Sequence, residues 1–148
     1  MDNLENLDDD LTYIMAKFKD IPKGSLEKLF YRLIKEYNNT FLAITVDFII
    51  RDYLNDKTEW DNPDYKKYKR NKRPKGWIPV PGLYKKNNMN VNFCSRQLKS
   101  LIKRKWLEEN TIKRGEYQSV RIIRLTKEKA EECYQKAVCD IKFNKEPA

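Results

Sequence analysis

The sequence predicts a mainly helical chain with one β-hairpin, an α+β fold, and three observations lead there. Apolar residues recur at three- and four-residue spacing through most of the first 55 residues. An extended run from Trp106 to Ile112 breaks at Lys113-Arg114-Gly115-Glu116, and an alternating run follows as far as Leu125. A further helical stretch follows Thr126. With 148 residues, 40% of them apolar and 12% aromatic, the chain can bury one core and is too rich in large apolar groups for wholesale disorder.

Taken in order, Leu4, Leu7, Leu11, Ile14, Met15 and Phe18 line one face of a helix over residues 3–19. Ile21-Pro22-Lys23-Gly24 breaks it, and Ser25 is placed to cap the next helix. Leu26, Leu29, Phe30, Leu33, Ile34 and Tyr37 form that helix's apolar face, and Asn38-Asn39 can end it. Residues 40–55 are apolar on most sides. Their β-branched content also suits a strand, but the length favours a central helix with Phe41, Ile44, Phe48, Tyr53 and Leu54 on its broad face. Residues 56–76 have no apolar period, two prolines and many charges, and read as a long loop. Pro81 suits the first residue of a short helix with Leu83 and Tyr84 inward, and Asn87-Asn88 can turn the chain. Asn90 then caps a helix over 90–104, with Met89 and Cys94 spaced as a hydrophobic staple. Val91, Cys94, Leu98, Leu101 and Ile102 share one face of that helix. An extended run from Trp106 to Ile112 and another from Tyr117 to Leu125 make the hairpin. Val120 and Ile122 lie on one side of the second run, Arg121 and Ile123 on the other. Thr126 caps a final helix over roughly 127–139, whose first turns hold Glu128 and Glu131.

Charge divides the chain sharply. Residues 66–129 hold 20 of the 31 Lys and Arg but only 4 of the 22 Asp and Glu. Seven Lys or Arg crowd the ten residues Lys66–Lys75 alone. The total of +9 is compatible with an ordinary solvated face, whereas one basic block between acidic flanks points to a phosphate polymer or another anionic surface. For Lys66–Lys75 by itself, a linker without a partner and a nuclear-import signal stay open beside a grip on a polyanion.

Short helix, turn, helix, hairpin, helix is the order carried by SRQLKSLIKRKWLEE and IKRGEYQSVRIIRLTKEKAEE. Over about residues 40–139 it resembles a winged helix-turn-helix, similar to MarR-type regulators and to the winged domains of phage and plasmid replication initiators. Lys75-Gly76-Trp77-Ile78 ahead of the motif is like the latter. Two positions depart from the usual pattern, where Gly is common: Asn88 in the turn between the motif helices, and Lys105 after the second helix. The resemblance implies a winged helix-turn-helix with two additional N-terminal helices. Residues 1–39 form a helical pair for dimerisation or partner contact, 40–139 the winged domain with its basic loop at 56–76, and 140–148 a flexible tail.

That layout implies double-stranded DNA as partner. A helix fits the major groove and shows side chains to base edges. Arg96 and Arg104 suit guanine; Gln97 and Asn92 suit adenine. Ser95 shares their face, and Lys99, Ser100 and Lys103 suit phosphates. Lys113, Arg114 and Tyr117 at the wing tip, supported by Arg121, reach flanking DNA. Lys66, Lys67, Lys69, Arg70, Lys72 and Arg73 form a cationic strap. A homodimer through residues 1–38 is expected, because their apolar faces exceed what a small winged domain covers.

The chain has no histidine, which removes Ser/His, Cys/His and His-metal chemistry. Cys133 and Cys139 lack zinc-ligand spacing, Asp8-Asp9-Asp10 and Asp61/Asp64 read as solvated groups, and no Gly-rich phosphate loop exists among four glycines. The expectation is a protein that is not an enzyme, with no catalytic residues, no metal and no cofactor. Three unpatterned cysteines, no apolar run near membrane-spanning length and an acidic start suggest reduced thiols, no membrane and a cytoplasmic location. A transcription regulator is the first functional expectation. A phage or plasmid replication initiator and a mobile-element module that docks a host protein are the alternatives.

Overall fold

The computed structural model describes residues 9–55, 76–81, 83, 90–113 and 119–145. Helix α1 spans Asp9–Lys17 and passes into a 3-10 turn, Phe18–Asp20. Leu11, Ile14, Met15 and Phe18 are buried, as the spacing predicts; Leu4 and Leu7 lie outside the described residues. Helix α2, Lys23–Tyr37, starts two residues before the expected Ser25 cap. The Pro22 carbonyl accepts from the Ser25 N–H at 3.0 Å and the Leu26 N–H at 3.2 Å, so the ladder is already running when it reaches Ser25. Proline's fixed φ suits a helix start, and Ser25 becomes a buried residue of the first turn.

Two adjacent asparagines manage the next junction. Asn38 ends α2 in the left-handed region, φ 48° and ψ 43°. The Asn39 side chain accepts from the Leu42 N–H at 3.0 Å and caps helix α3, Thr40–Leu54. Helix wins over strand here, and the buried Thr45 hydroxyl is satisfied by donating to the Phe41 carbonyl at 2.8 Å. Phe41 and Tyr53 are buried as expected, while Ile44, Phe48 and Leu54 are half-buried. The deepest positions are Leu42, Ala43, Val46 and Ile49, because α3 is covered from more than one side: α2 lies against it, and so do the helix Val91–Lys103 and the strand Ser119–Leu125.

The sheet holds one strand more than the sequence suggested. Strand β1, Ile78–Pro79, pairs antiparallel with β3, Ser119–Leu125, which also pairs with β2, Leu107–Lys113. The order β1-β3-β2 puts β3 in the centre and leaves β1 on an edge, where Pro79 does no harm. Two residues are too few for a period-2 signal, which is why β1 was illegible. Val80, Pro81 and Leu83 have helical backbone, one residue earlier than expected, and Tyr84 lies outside the described residues. Helix α4 is Val91–Lys103, and helix α5 is Lys127–Lys145, six residues beyond the expected end at 139. The tail expected from residue 140 is therefore helical backbone as far as Lys145.

One core cluster runs from Leu11 in α1 to Ala137 in α5 and takes residues from every described helix and from the sheet. A second, smaller cluster of Trp77, Val120 and Ile122 with Ile112 sits on the sheet's other face. The apolar faces of α1 and α2 are thus spent inside the chain, against α3 and α5. Tyr13 of α1 and Tyr31 of α2 remain exposed, at 67% and 68%. Among the described residues, no helix is long and apolar enough to cross a membrane.

Candidate nucleic-acid interface

Helix α4 begins where the Asn90 side chain accepts from the Phe93 N–H at 3.1 Å, as the capping pattern predicts. Met89, the expected staple partner of Cys94, lies outside the described residues. Cys94, Leu98 and Leu101 are fully buried. Their three- and four-residue spacing puts all three on one ridge, which fixes the helix's rotation. The opposite side is then bound to face solvent. Asn92, Arg96, Lys99, Ser100, Lys103 and Arg104 are exposed, and Ser95 and Gln97 are half-buried. No ion pair reaches Arg96, Lys99, Lys103 or Arg104 from any described residue. The helix has no acidic residue of its own, so its cationic face is not internally neutralised.

Val91 departs from expectation. It was placed with the core-facing residues, yet it is 60% exposed. As the first helical residue it lies beyond the end of the covered ridge. Phe93, absent from both expected faces, is 41% exposed and packs edge-on against Phe41 with ring centroids 6.2 Å apart.

The far end of α4 explains Lys105. Its φ is 65°, the left-handed conformation for which Gly is usual. The Lys105 N–H donates to the Ile102 carbonyl at 3.1 Å and the Trp106 N–H to the Leu101 carbonyl at 2.9 Å. These two bonds are a Schellman motif, so Lys105 does the work of the missing glycine. Thr126, the expected cap of α5, accepts from the Lys129 N–H at 3.4 Å and donates its hydroxyl to the Lys105 carbonyl at 2.6 Å. One threonine thereby ties the exit of α4 to the entry of α5.

The hairpin behaves differently from the helix. Arg121 is exposed, but its guanidinium is 2.6 Å from Glu109 on the neighbouring strand. Arg124 is 2.8 Å from Glu108 and lies 4.6 Å above the Trp77 ring. Arg121, expected to support a DNA contact, is therefore partly neutralised by its own sheet. Arg114 and Tyr117 lie outside the described residues, and Lys113 is described only in its backbone, as the last residue of β2. Lys66, Lys67, Lys69, Arg70, Lys72 and Arg73 lie outside them as well.

A polar cluster behind α4 went unforeseen. Trp106 is 2% exposed, with the Tyr37 ring edge-on at 5.1 Å and the Lys129 ammonium 4.6 Å from its centroid. The Tyr37 hydroxyl donates to Glu132 at 2.5 Å, and Lys129 pairs with Glu132 at 3.2 Å. Burial, aided by the Glu132 bond and charge, pushes the Tyr37 hydroxyl up to about 12. Burial alone would raise the Glu132 carboxyl, but Tyr37 and Lys129 outweigh it and hold the group below its ordinary value. One turn away, Glu36 takes Lys136 at 2.6 Å and Arg32 at 2.8 Å, and these bonds lower its carboxyl too. Only the alternation of Lys and Glu along α5 hinted at this, and it named no partner on α2.

Among the described residues no three His, Cys, Asp or Glu gather as metal donors. Cys94 and Cys133 are buried free thiols, both raised by burial, Cys133 to about 12. Fold and face together define a mainly helical α+β protein with a small three-stranded antiparallel sheet and an exposed cationic helix beside it. No protein-family model, curated protein or solved structure matches the chain.

Proposed function

We propose that the chain is a winged-helix DNA-binding protein, a sequence-specific transcription regulator that reads the major groove with α4. The observation that carries this reading is the outward face of α4. It presents Arg96, Lys99, Lys103 and Arg104 exposed and without an ion-pair partner among the described residues, around Asn92 and Ser100. Exposed cations that no carboxylate neutralises keep their charge for phosphates. Forked and amide side chains on the same face can tell base pairs apart.

The winged reading is supported by element order. Helix α3, strand β1, a helical turn from Val80, helix α4 and the β2-β3 hairpin follow one another, with β3 between β1 and β2. Arg96 is the proposed guanine reader, with Arg104 and Gln97 further along the helix and Asn92 on adenine. Lys99, Ser100 and Lys103 hold phosphates. Lys113, Arg114 and Tyr117 at the hairpin tip and the Lys66–Arg73 segment extend the contact. Arg121 steadies the hairpin through Glu109 more than it reaches DNA. The basic run ahead of Gly76-Trp77 favours a second reading, a replication initiator.

Selection of bound duplexes from a random pool, read at two salt concentrations, tests both readings. A consensus that survives the higher salt is expected. Inverted half-sites mark a regulator bound as a pair; direct repeats mark an initiator. Binding that is blind to sequence and erased by salt overturns both and leaves a protein-docking module.

A further inference from the structure

The exposed Val91 calls for an explanation of its own. Val91 and Asn92 open α4, and Ser95 and Arg96 stand one turn above them. Helix geometry stacks Val91 beneath Ser95 and Asn92 beneath Arg96, so the first turn carries a tile of two methyl groups, an amide, a hydroxyl and a guanidinium. Phe93, the other exposed apolar group there, is propped against Phe41. Val91 is 60% exposed, and it is not among the residues packed on the core cluster of the described residues. It opens a helix whose exposed cations have no ion-pair partner among the described residues, and Arg96 stands about one turn further on, so a polyanion that also offers an apolar group fits this end of α4. In duplex DNA only the C5 methyl of thymine fits that description in the major groove.

We propose that Val91 reads a thymine methyl, in a base pair adjoining the one Arg96 contacts, and that this contact sets part of the sequence preference. The inference rests on the proposed reading of α4 as the groove-entering helix. Recognition helices contact base edges mainly with their N-terminal residues, which is where Val91 stands. Asn39 and Asn90 hold the starts of α3 and α4 by side-chain caps, so neither apolar group at this end is needed to begin its helix.

The test uses the full chain and the duplex its own selection enriches. Each thymine in turn is replaced by deoxyuridine, which removes one methyl and no hydrogen-bonding group. For the native chain, one position should lose about fourfold in affinity, the ratio that one buried methyl group corresponds to. Val91→Ala should bind the thymine and deoxyuridine duplexes equally, with the salt dependence of binding unchanged; Val91→Ile should keep the discrimination. Because Val91 is exposed, the Ala variant is expected to fold, and its unfolding midpoint checks that. If Arg96→Ala still relaxes one base position but no thymine responds to demethylation, the methyl contact is wrong and the groove reading stands. If affinity is indifferent to both demethylation and Val91→Ala, Val91 serves a protein partner and the proposal falls. If no duplex is enriched at all, the groove reading falls and takes this inference with it.

Discussion

Lys105 turns the chain out of α4 at φ 65°, and a β-carbon in that region costs about 1–2 kcal/mol. The cost is tolerated because both Schellman bonds form and the Thr126 hydroxyl satisfies the outgoing carbonyl. Lys105→Gly should therefore stabilise the protein by about 1 kcal/mol, seen as a raised urea midpoint at unchanged slope. A lower midpoint would mean that the Lys105 side chain itself contributes. Asn38, at φ 48°, meets the same demand with a residue better suited to it. On the outward face of α4, Arg96 and Lys103 differ in chemistry. Arg96→Ala should cost about 1–3 kcal/mol on the selected site and relax one base position. Lys103→Ala should weaken all duplexes alike and lower the salt slope by about 0.9. Equal losses for both on selected and random DNA would refute this division.

At the scale of elements, α2 and α5 are stapled by the Lys136–Glu36 ion pair and the Tyr37–Glu132 hydrogen bond. Tyr37→Phe leaves the Glu132 carboxylate without its hydroxyl donor and should cost about 1–3 kcal/mol at neutral pH. The staple also gives stability a pH profile. Glu36 is lowered from its ordinary 4.5 by Lys136 and Arg32, so its contribution is present above pH 4.5 and disappears as pH falls through the lower folded value. Glu36→Gln should lower the unfolding midpoint at pH 7, and the difference should shrink as pH falls through the lowered folded value. The pair is partly exposed, so the difference at pH 7 should stay within about 1 kcal/mol. Tyr37 works in the opposite direction. Its folded value of about 12 exceeds its ordinary 10, so its contribution is complete below pH 10 and is lost as pH rises toward 12. In Tyr37→Phe that alkaline component should be missing from the midpoint-against-pH curve.

Across the whole molecule, the N-terminal helices belong to the core rather than to an appendage. Leu11, Ile14, Met15, Phe18, Leu26, Leu29 and Leu33 join the same cluster as Leu98, Trp106 and Ala137. Phe18 packs edge-on to Tyr134 of α5 at 5.6 Å. A chain starting at Thr40 should therefore lose cooperative unfolding, followed by near-ultraviolet circular dichroism. A sharp transition in that fragment would show that α1 and α2 are dispensable. The same packing leaves Arg96, Lys99, Lys103 and Arg104 on α4 exposed.

The sequence by itself determined most helix positions, the hairpin, the cap at Asn90 and the outward face of α4. Each rests on local spacing: buried residues three and four apart rotate a helix whatever lies against it, and an asparagine reaches its own backbone. Only the tertiary structure decided the rest. The two-residue β1 exists because β3 offers it partners 43 and 45 residues away, Ile122 opposite Pro79 and Ile123 opposite Ile78. The deep face of α3, the capture of Arg121 by Glu109, the staple around Tyr37 and the burial of α1 and α2 all pair groups distant in sequence. Val91 was misplaced for the same reason, since a period says which way a side chain points but not whether anything stands there to cover it.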